Sequence, residues 1–376
     1  MPQKEFDQTL ADSQASPVDP VAAEAFDFDA YANYEKSLTE RCRRFWATNS
    51  GVLVYRRMRV AEVFSYGCRD RKASLEWQLG ALRKSMEYPA DMPNFLEPWY
   101  GIGTVASAFG IEYVWQPGQA PAMKPAFQSV EEALRYAPKP LAQTPIGSHT
   151  LALIDYFVNQ TGGRLPMSLT DTQSPLNVAG NVVNMSQFFL EVYDRPERVA
   201  AFLLRIAALI SQFSQVQAKA IGEAMVWPGH GYASSRCFAG LGVSDDNVLM
   251  ISGPQYRDLV APAMESLGQH FDGWAFHSCG DWSGKIETVK GIPGLRMVDA
   301  AFSAATDPSP NDPERFAEAF AGTGIVLNAR IVGDADLVVG TVKKLWIRGL
   351  KLIVVTYCQS PDEQACVYDR IHEVCV

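Results

Sequence analysis

The alternation of the second half of the chain constrains the fold most. The runs Gly273–His277, Leu295–Val298, Gly324–Arg330 and Leu350–Tyr357 are short and mostly apolar, the composition of strands buried on both faces of a parallel sheet. Pro254–Phe271, Pro313–Phe320, Ala335–Trp346 and Pro361–Val374 repeat apolar positions at helical spacing among charges, which predicts helices. Crossovers of this length join parallel strands as βαβ units, so the class is α/β. Before Pro254 the same rules predict helices over Tyr31–Trp46, Lys72–Met86 and Ser186–Ile221, and strands over Gly51–Tyr55, Ile111–Trp115 and Arg164–Thr170. No Gly/Ser-rich or Pro-rich linker follows residue 30, so we expect one (β/α)8 TIM-type barrel with extra N-terminal helices and insertions over residues 29–376. The stretch from Pro117 to Pro145 reads as a surface excursion over it.

Charge and cysteine usage narrow the classes of function. Residues 1–28 are acidic and polar, without sustained periodicity, and read as a flexible tail. Seven acids against one base, Lys4, fall within residues 1–30, out of a net charge of -9. The remainder is near neutral, which argues against a nucleic-acid surface. Apolar stretches such as Val199–Ile210, interrupted by Arg205, fall short of the about 18–20 residues of a membrane helix. Met1–Leu10 has no apolar signal core, so a cytoplasmic, non-membrane protein is expected. Seven cysteines, an odd number without framework spacing, point to reduced thiols rather than to disulfides.

Two strand ends carry the distinctive chemistry. Ala275–Asp281 reads AFHSCGD, a strand ending in His277 and Cys279, and side chains two apart on an extended strand face one side. Lys351–Cys358 is a second apolar strand ending in a thiol. In a parallel barrel both ends lie at the carboxyl edge, where sites are built. Three N/S donors with one position open describe a catalytic zinc site. Cysteine is also among the most buried residue types, so Cys358 alone reads more readily as core packing than as a ligand.

AFHSCGD together with VVTYCQ (Val354–Gln359) resembles the zinc-containing, cobalamin-dependent methyltransferase branch of the uroporphyrinogen decarboxylase superfamily. Ser168–Leu176 (SLTDTQSPL), Met250–Pro262 (MISGPQYRDLVAP) and Val326–Gly333 (VLNARIVG) are similar to further stretches of it. The resemblance implies a barrel, zinc on His277, Cys279 and Cys358, and a corrinoid supplied by a separate protein, since no corrinoid-binding domain fits in this chain. It implies methyl transfer between that corrinoid and a small thiol or a methyl ether, the latter an O-demethylation. The decarboxylase branch holds substrate carboxylates on an arginine motif; the comparable Tyr55–Val60 (YRRMRV) is basic but lacks its Arg-Gln-Ala-Gly-Arg signature. A metal-free decarboxylase with a strongly basic cleft, and a non-catalytic barrel binding a corrinoid or tetrapyrrole, stay open as alternatives. A homodimer is compatible with all three.

Further polar residues lie near predicted strand ends. Asp171 and Arg330 are candidate catalytic groups, with Gln173 and Asn328 as substrate-binding candidates; each reads equally as a rim partner, as does Asp299. Trp99 and Tyr100, beside Glu97 in a Pro-bounded aromatic stretch, are candidates for a substrate-binding wall over the mouth, or for a satellite hydrophobic cluster. Asp245 and Asp246 either cap a helix or line the cleft. Gly101–Ala106 matches G-x-G-x-x-A without a strand before it and is set aside. Gly229-His230-Gly231 either places a histidine in the mouth or forms a turn, the turn being the preferred reading. Cys366, His372 and Cys375 read as a helix face, and Cys42, Cys68 and Cys237 as packing.

Overall fold

The structure, a computed structural model, describes residues 14–376. Six parallel strands form one sheet, β1 (Gly51–Arg56), β4 (Leu241–Ser244), β5 (Trp274–His277), β6 (Leu295–Ala301), β7 (Val326–Arg330) and β8 (Lys351–Thr356), in the order β1-β8-β7-β6-β5-β4. Single bridges continue the ring from β1 back to β4. The Asp91 N–H donates to Val54 O, and Leu96 pairs with Met167, Met167 with Met225, and Gln173 with Ser244. The result is a TIM-type barrel with all strand carboxyl ends at one mouth. Ile111–Trp115 contributes only β2 (Tyr113–Val114), paired antiparallel with β3 (Ala122–Met123) in a surface hairpin. Arg164–Thr170 contributes the Met167 bridges in place of a full strand. Residues 117–145 carry β3 and α3, with Val130, Ala133 and Leu141 buried in the main core.

The helices are α1 (Phe28–Ala47), α2 (Arg71–Ser85), α3 (Val130–Arg135), α4 (Pro145–Thr161), α5 (Pro175–Val182), α6 (Met185–Asp194), α7 (Pro196–Ile221), α8 (Ala261–Gln269), α9 (Ile286–Lys290), α10 (Pro313–Phe320), α11 (Ala335–Leu345) and α12 (Pro361–Val374). Thr144, Ser174, Asp312 and Ser360 each accept an N–H of the first turn, with Pro at the next position. That pairing satisfies orphan donors while Pro pre-sets the helical φ. The expected single helix Ser186–Ile221 is two, α6 and α7, broken at Arg195 where Pro196 starts a new first turn. Contrary to the expectation from apolar run length, Pro196–Ala224 is long and apolar enough to cross a membrane, at a mean hydropathy of 1.6, but half of that window is buried against the protein. It packs on α4, α5 and α8 as a core helix does.

Side chains alternate across each strand, which divides the interior in two. Leu53, Tyr55, Ala275, Met297, Ile353, Val355 and Tyr357 cluster inside the barrel. Val54, Phe276, Val298, Leu327, Leu352 and Val354 belong to the layer between strands and helices. Above the apolar interior rows lies a polar one: Ser244, His277, Asp299 and Asn328 stand opposite one another across β4, β5, β6 and β7. A bulge sets this row, since Trp274 faces Leu295 whereas Ala275 faces Met297.

The predicted tail requires a correction. Residues 1–13 lie outside the described residues, but from Ser16 onward the segment is docked. The Ser16 N–H donates to Arg59 O at 2.7 Å and the Val21 N–H to Glu76 O at 2.8 Å, with Val21 and Phe26 buried. Composition averaged over 28 residues hid these two anchors.

Candidate functional site

The mouth opens into a cleft of about 640 Å³. His277, the last residue of β5, and Cys279 two residues on both line it. Their Nε2 and Sγ are 3.6 Å apart. His277 Nδ1 is 2.6 Å from Asp299 Oδ2; Asp299 is fully buried and also accepts from Arg330 Nε at 2.8 Å and from Asn328 Nδ2. A carboxylate on Nδ1 fixes the ring and leaves Nε2 toward the cleft. Burial alone would lower the His277 pKa, but the hydrogen bonds and charges of Asp299 and Cys279 prevail and push it up to about 10. Arg330, followed by the hydrogen bond from His277, outweighs burial in holding Asp299 below the usual carboxylate range.

Asp246 completes this group. It follows β4, lines the cleft, and accepts the Cys279 N–H at 2.7 Å. One donor atom from each of Asp246, His277 and Cys279 lies within 4.8 Å of the other two. Its neighbour Asp245 is buried, accepts the Tyr256 O–H at 2.7 Å, and burial pushes its carboxyl up to about 7.

Cys358, expected to join the pair, does not. Tyr357 faces the barrel interior, so Cys358 falls on the outer parity with Leu352 and Val354, buried in the strand–helix layer. Burial pushes its thiol up to about 12, against the opposing influence of Arg56.

The facing wall carries a second polar group. His230 lines the cleft; its Nδ1 is 2.5 Å from Glu97 Oε2 and its Nε2 3.4 Å from Asp171 Oδ2. Glu97 also pairs with Arg57 at 3.4 Å. Burial would raise the Glu97 pKa, but the charges of Arg57 and His230 bring it down to about 2. Asp171 accepts from Trp99 Nε1 at 3.2 Å and from Gln173 Nε2 at 2.9 Å. Asp171, Gln173 and Arg330 thus sit on the cleft as expected, and among the described residues Arg330 Nη2 is buried without a hydrogen-bond partner.

Three expectations change. Trp99 is buried behind Asp171 and orients it. Tyr100 stacks on His149 at 3.8 Å between ring centroids and packs with Tyr113 and Trp115, a satellite cluster away from the cleft lining. Asn328 is fully buried, held by the Ala233 N–H at 3.1 Å, and positions Asp299. His230, for which the sequence favours a turn over a place in the mouth, lies on the cleft; flanking glycines signal a turn but not its direction.

A family model described as Uroporphyrinogen decarboxylase (URO-D) matches residues 50–306, more than half of the chain. The chain belongs to the URO-D family. Among solved structures it is similar to a methyltransferase from Methanosarcina mazei at a TM-score of 0.62 and 13% sequence identity, over 89% of this chain and 98% of that one. That likeness concerns the fold, and it covers more of the chain than the family match does. No curated protein matches the sequence. As in other TIM-type barrels, the URO-D cleft here lies at the carboxyl ends of the strands.

Proposed function

We propose that this URO-D family member is a zinc-dependent methyltransferase that moves a methyl group between a corrinoid carried by a partner protein and a small thiol or methyl-ether substrate. The observation that carries the reading is the pairing of His277 Nε2 with Cys279 Sγ at 3.6 Å on the cleft, with Nδ1 tied to buried Asp299. Tetrahedral zinc at its usual bond lengths keeps N and S donors about 3.3–3.8 Å apart, and a carboxylate behind the histidine is the usual support of such a ligand. These residues fit the ion. Zinc held there supplies Lewis acidity toward an ether oxygen or a thiol.

The chain's own residues account for orientation and proton movement. Asp299 holds the imidazole, and Asn328 and Arg330 hold Asp299. Arg330 Nη2, without a partner among the described residues, offers a donor to a substrate oxygen. When an O–CH3 bond breaks, the electron pair stays on oxygen, the methyl passes to the reduced corrinoid, and the oxygen takes a proton. His230, anchored by Glu97 through Nδ1, presents Nε2 beside Asp171 and is the group we assign to that proton.

The three arginines on the cleft, Arg57, Arg59 and Arg330, favour the decarboxylase as a second reading. Arg57 is balanced by Glu97 and Arg330 by Asp299, which supports the first. The test is zinc-loaded protein mixed with free cob(I)alamin and 2-methoxyphenol, or with methylcobalamin and 2-mercaptoethanol, followed by cobalamin absorbance. Transfer in one direction, lost in His277→Ala, is expected. No transfer in either direction by protein that retains zinc, with carbon dioxide released from uroporphyrinogen, overturns the proposal.

A further inference from the structure

We infer that the third protein ligand of this site is the carboxylate of Asp246, so the chain offers a divalent transition metal one imidazole, one thiolate and one carboxylate in place of the imidazole and two thiolates its sequence implies. The inference rests on the metal-dependent reading above and goes beyond it in the ligand set.

Register carries it. Ser244 of β4 stands opposite His277 of β5. Two residues further along each chain are Asp246 and Cys279, and the pairing persists past the strand ends because the Cys279 N–H donates to Asp246 Oδ1 at 2.7 Å. Ser244, Asp246, His277 and Cys279 all line the cleft, as the period of two requires. Asp246 Oδ1 lies 4.0 Å from His277 Nε2, a few tenths of an ångström wider than a tetrahedral edge, within reach of a side-chain rotation. Asp246 keeps half its side chain exposed, so no large desolvation cost opposes bringing its charge to a cation.

Parity excludes the alternative. Bringing Cys358 to the cleft would reverse the direction of a residue buried among Val54, Leu352 and Val354, and would send Tyr357 out of the barrel interior. The Arg56 side chain also fixes the backbone there, Nε donating to Cys358 O at 2.7 Å.

The test is metal content by elemental analysis after zinc loading and dialysis, together with the thiolate-to-metal charge-transfer band of cobalt(II)-loaded protein. It compares wild type with Asp246→Asn, Asp246→Ala, Cys279→Ala and Cys358→Ala. Asp246→Asn keeps an acceptor for the Cys279 N–H, which separates loss of a ligand from loss of folding, and circular dichroism checks each variant. Expected are about one zinc per chain in wild type and in Cys358→Ala, affinity at least about 10-fold weaker in both Asp246 variants, and a charge-transfer band lost only in Cys279→Ala and unchanged in Cys358→Ala. Zinc lost in Cys358→Ala and kept in Asp246→Ala overturns this inference alone. A wild type that takes up neither metal overturns the metal-dependent reading with it.

Discussion

Asp299→Asn removes one charge and almost no volume from the centre of the polar row, and the consequence can be worked from the contacts. Three donors converge on this fully buried carboxylate, His277 Nδ1 at 2.6 Å, Arg330 Nε at 2.8 Å, and Asn328 Nδ2. An amide offers one acceptor oxygen and adds two N–H groups of its own, so at least one existing donor loses its partner. Arg330, buried to 7% exposure, then keeps a charge with no counter-charge. Removing one partner of a buried pair costs about 3–5 kcal/mol. With an unfolding entropy of about 2.1 cal/mol/K per residue, that lowers the melting temperature of a chain this size by about 4–6 °C. The assay is differential scanning calorimetry of metal-free wild type and variant at neutral pH. A fall below about 1 °C would refute the reasoning, because it would mean that Asp299 does not compensate the Arg330 charge. Asp299→Asn is also expected to weaken zinc binding by about 10–100-fold, the usual cost of losing the group behind a ligating histidine, measured by competition with a chromogenic chelator.

Other predictions follow from the same contacts. The Glu97 carboxyl, at about 2 in place of 4.5, contributes about 3 kcal/mol of stability; because its pKa is depressed on folding, that contribution is present above pH 4.5 and is lost as pH falls toward 2. Unfolding scans between pH 6 and 2.5 should therefore show wild type losing its advantage over Glu97→Gln on acidification, and a constant difference would contradict the assignment. A Cβ at Gly80 would stand 2.0 Å from the Asp19 carbonyl oxygen, so Gly80→Ala should detach the segment around Val21 and raise its cleavage at Glu24 by a glutamate-specific protease. A more stable Gly80→Ala protein, from helix propensity alone, would show that the segment contributes nothing. His230→Gln should lower the rate of methyl transfer about 100-fold or more while leaving zinc content unchanged; an equal loss of zinc would make His230 structural.

What the sequence revealed, and what it hid, divides along physical lines. β5, β7 and β8 were legible because strands buried on both faces are uninterrupted apolar runs. β4 was not, since its short run includes Gly242, where a Cβ would meet the Tyr232 ring at 2.6 Å, and a glycine required by a distant ring has no local signal. Helix α4 carries a readable start at Thr144-Pro145, a cap signal that apolar periodicity does not register. At the site, His277 and Cys279 followed from a spacing of two on one strand. The same parity, counted along β8 from Val355, would have turned Cys358 away from the mouth. Asp246 follows β4, whose run was itself not legible, and His230 comes from a loop, whose direction no period fixes.

The bulge in β6 has a consequence for how this cleft can change over evolutionary or engineering time. Were β6 paired continuously from Leu295, with Arg296 in the ladder, His277 would stand opposite Val298 rather than Asp299. Loss of the Arg296 codon would therefore straighten the strand and leave Met297, Val298 and Asp299 opposite Ala275, Phe276 and His277, whereas drawing Arg296 into the ladder would bury Val298 beside the imidazole and turn Asp299 toward the helical layer. Arg296 itself is exposed and donates to the Asp272 carbonyl at 3.0 Å, so its identity is open to drift while its exclusion from the ladder is not. The reading frame of one strand, counted in residues, is thus a part of the site that no residue-by-residue inventory of its side chains contains.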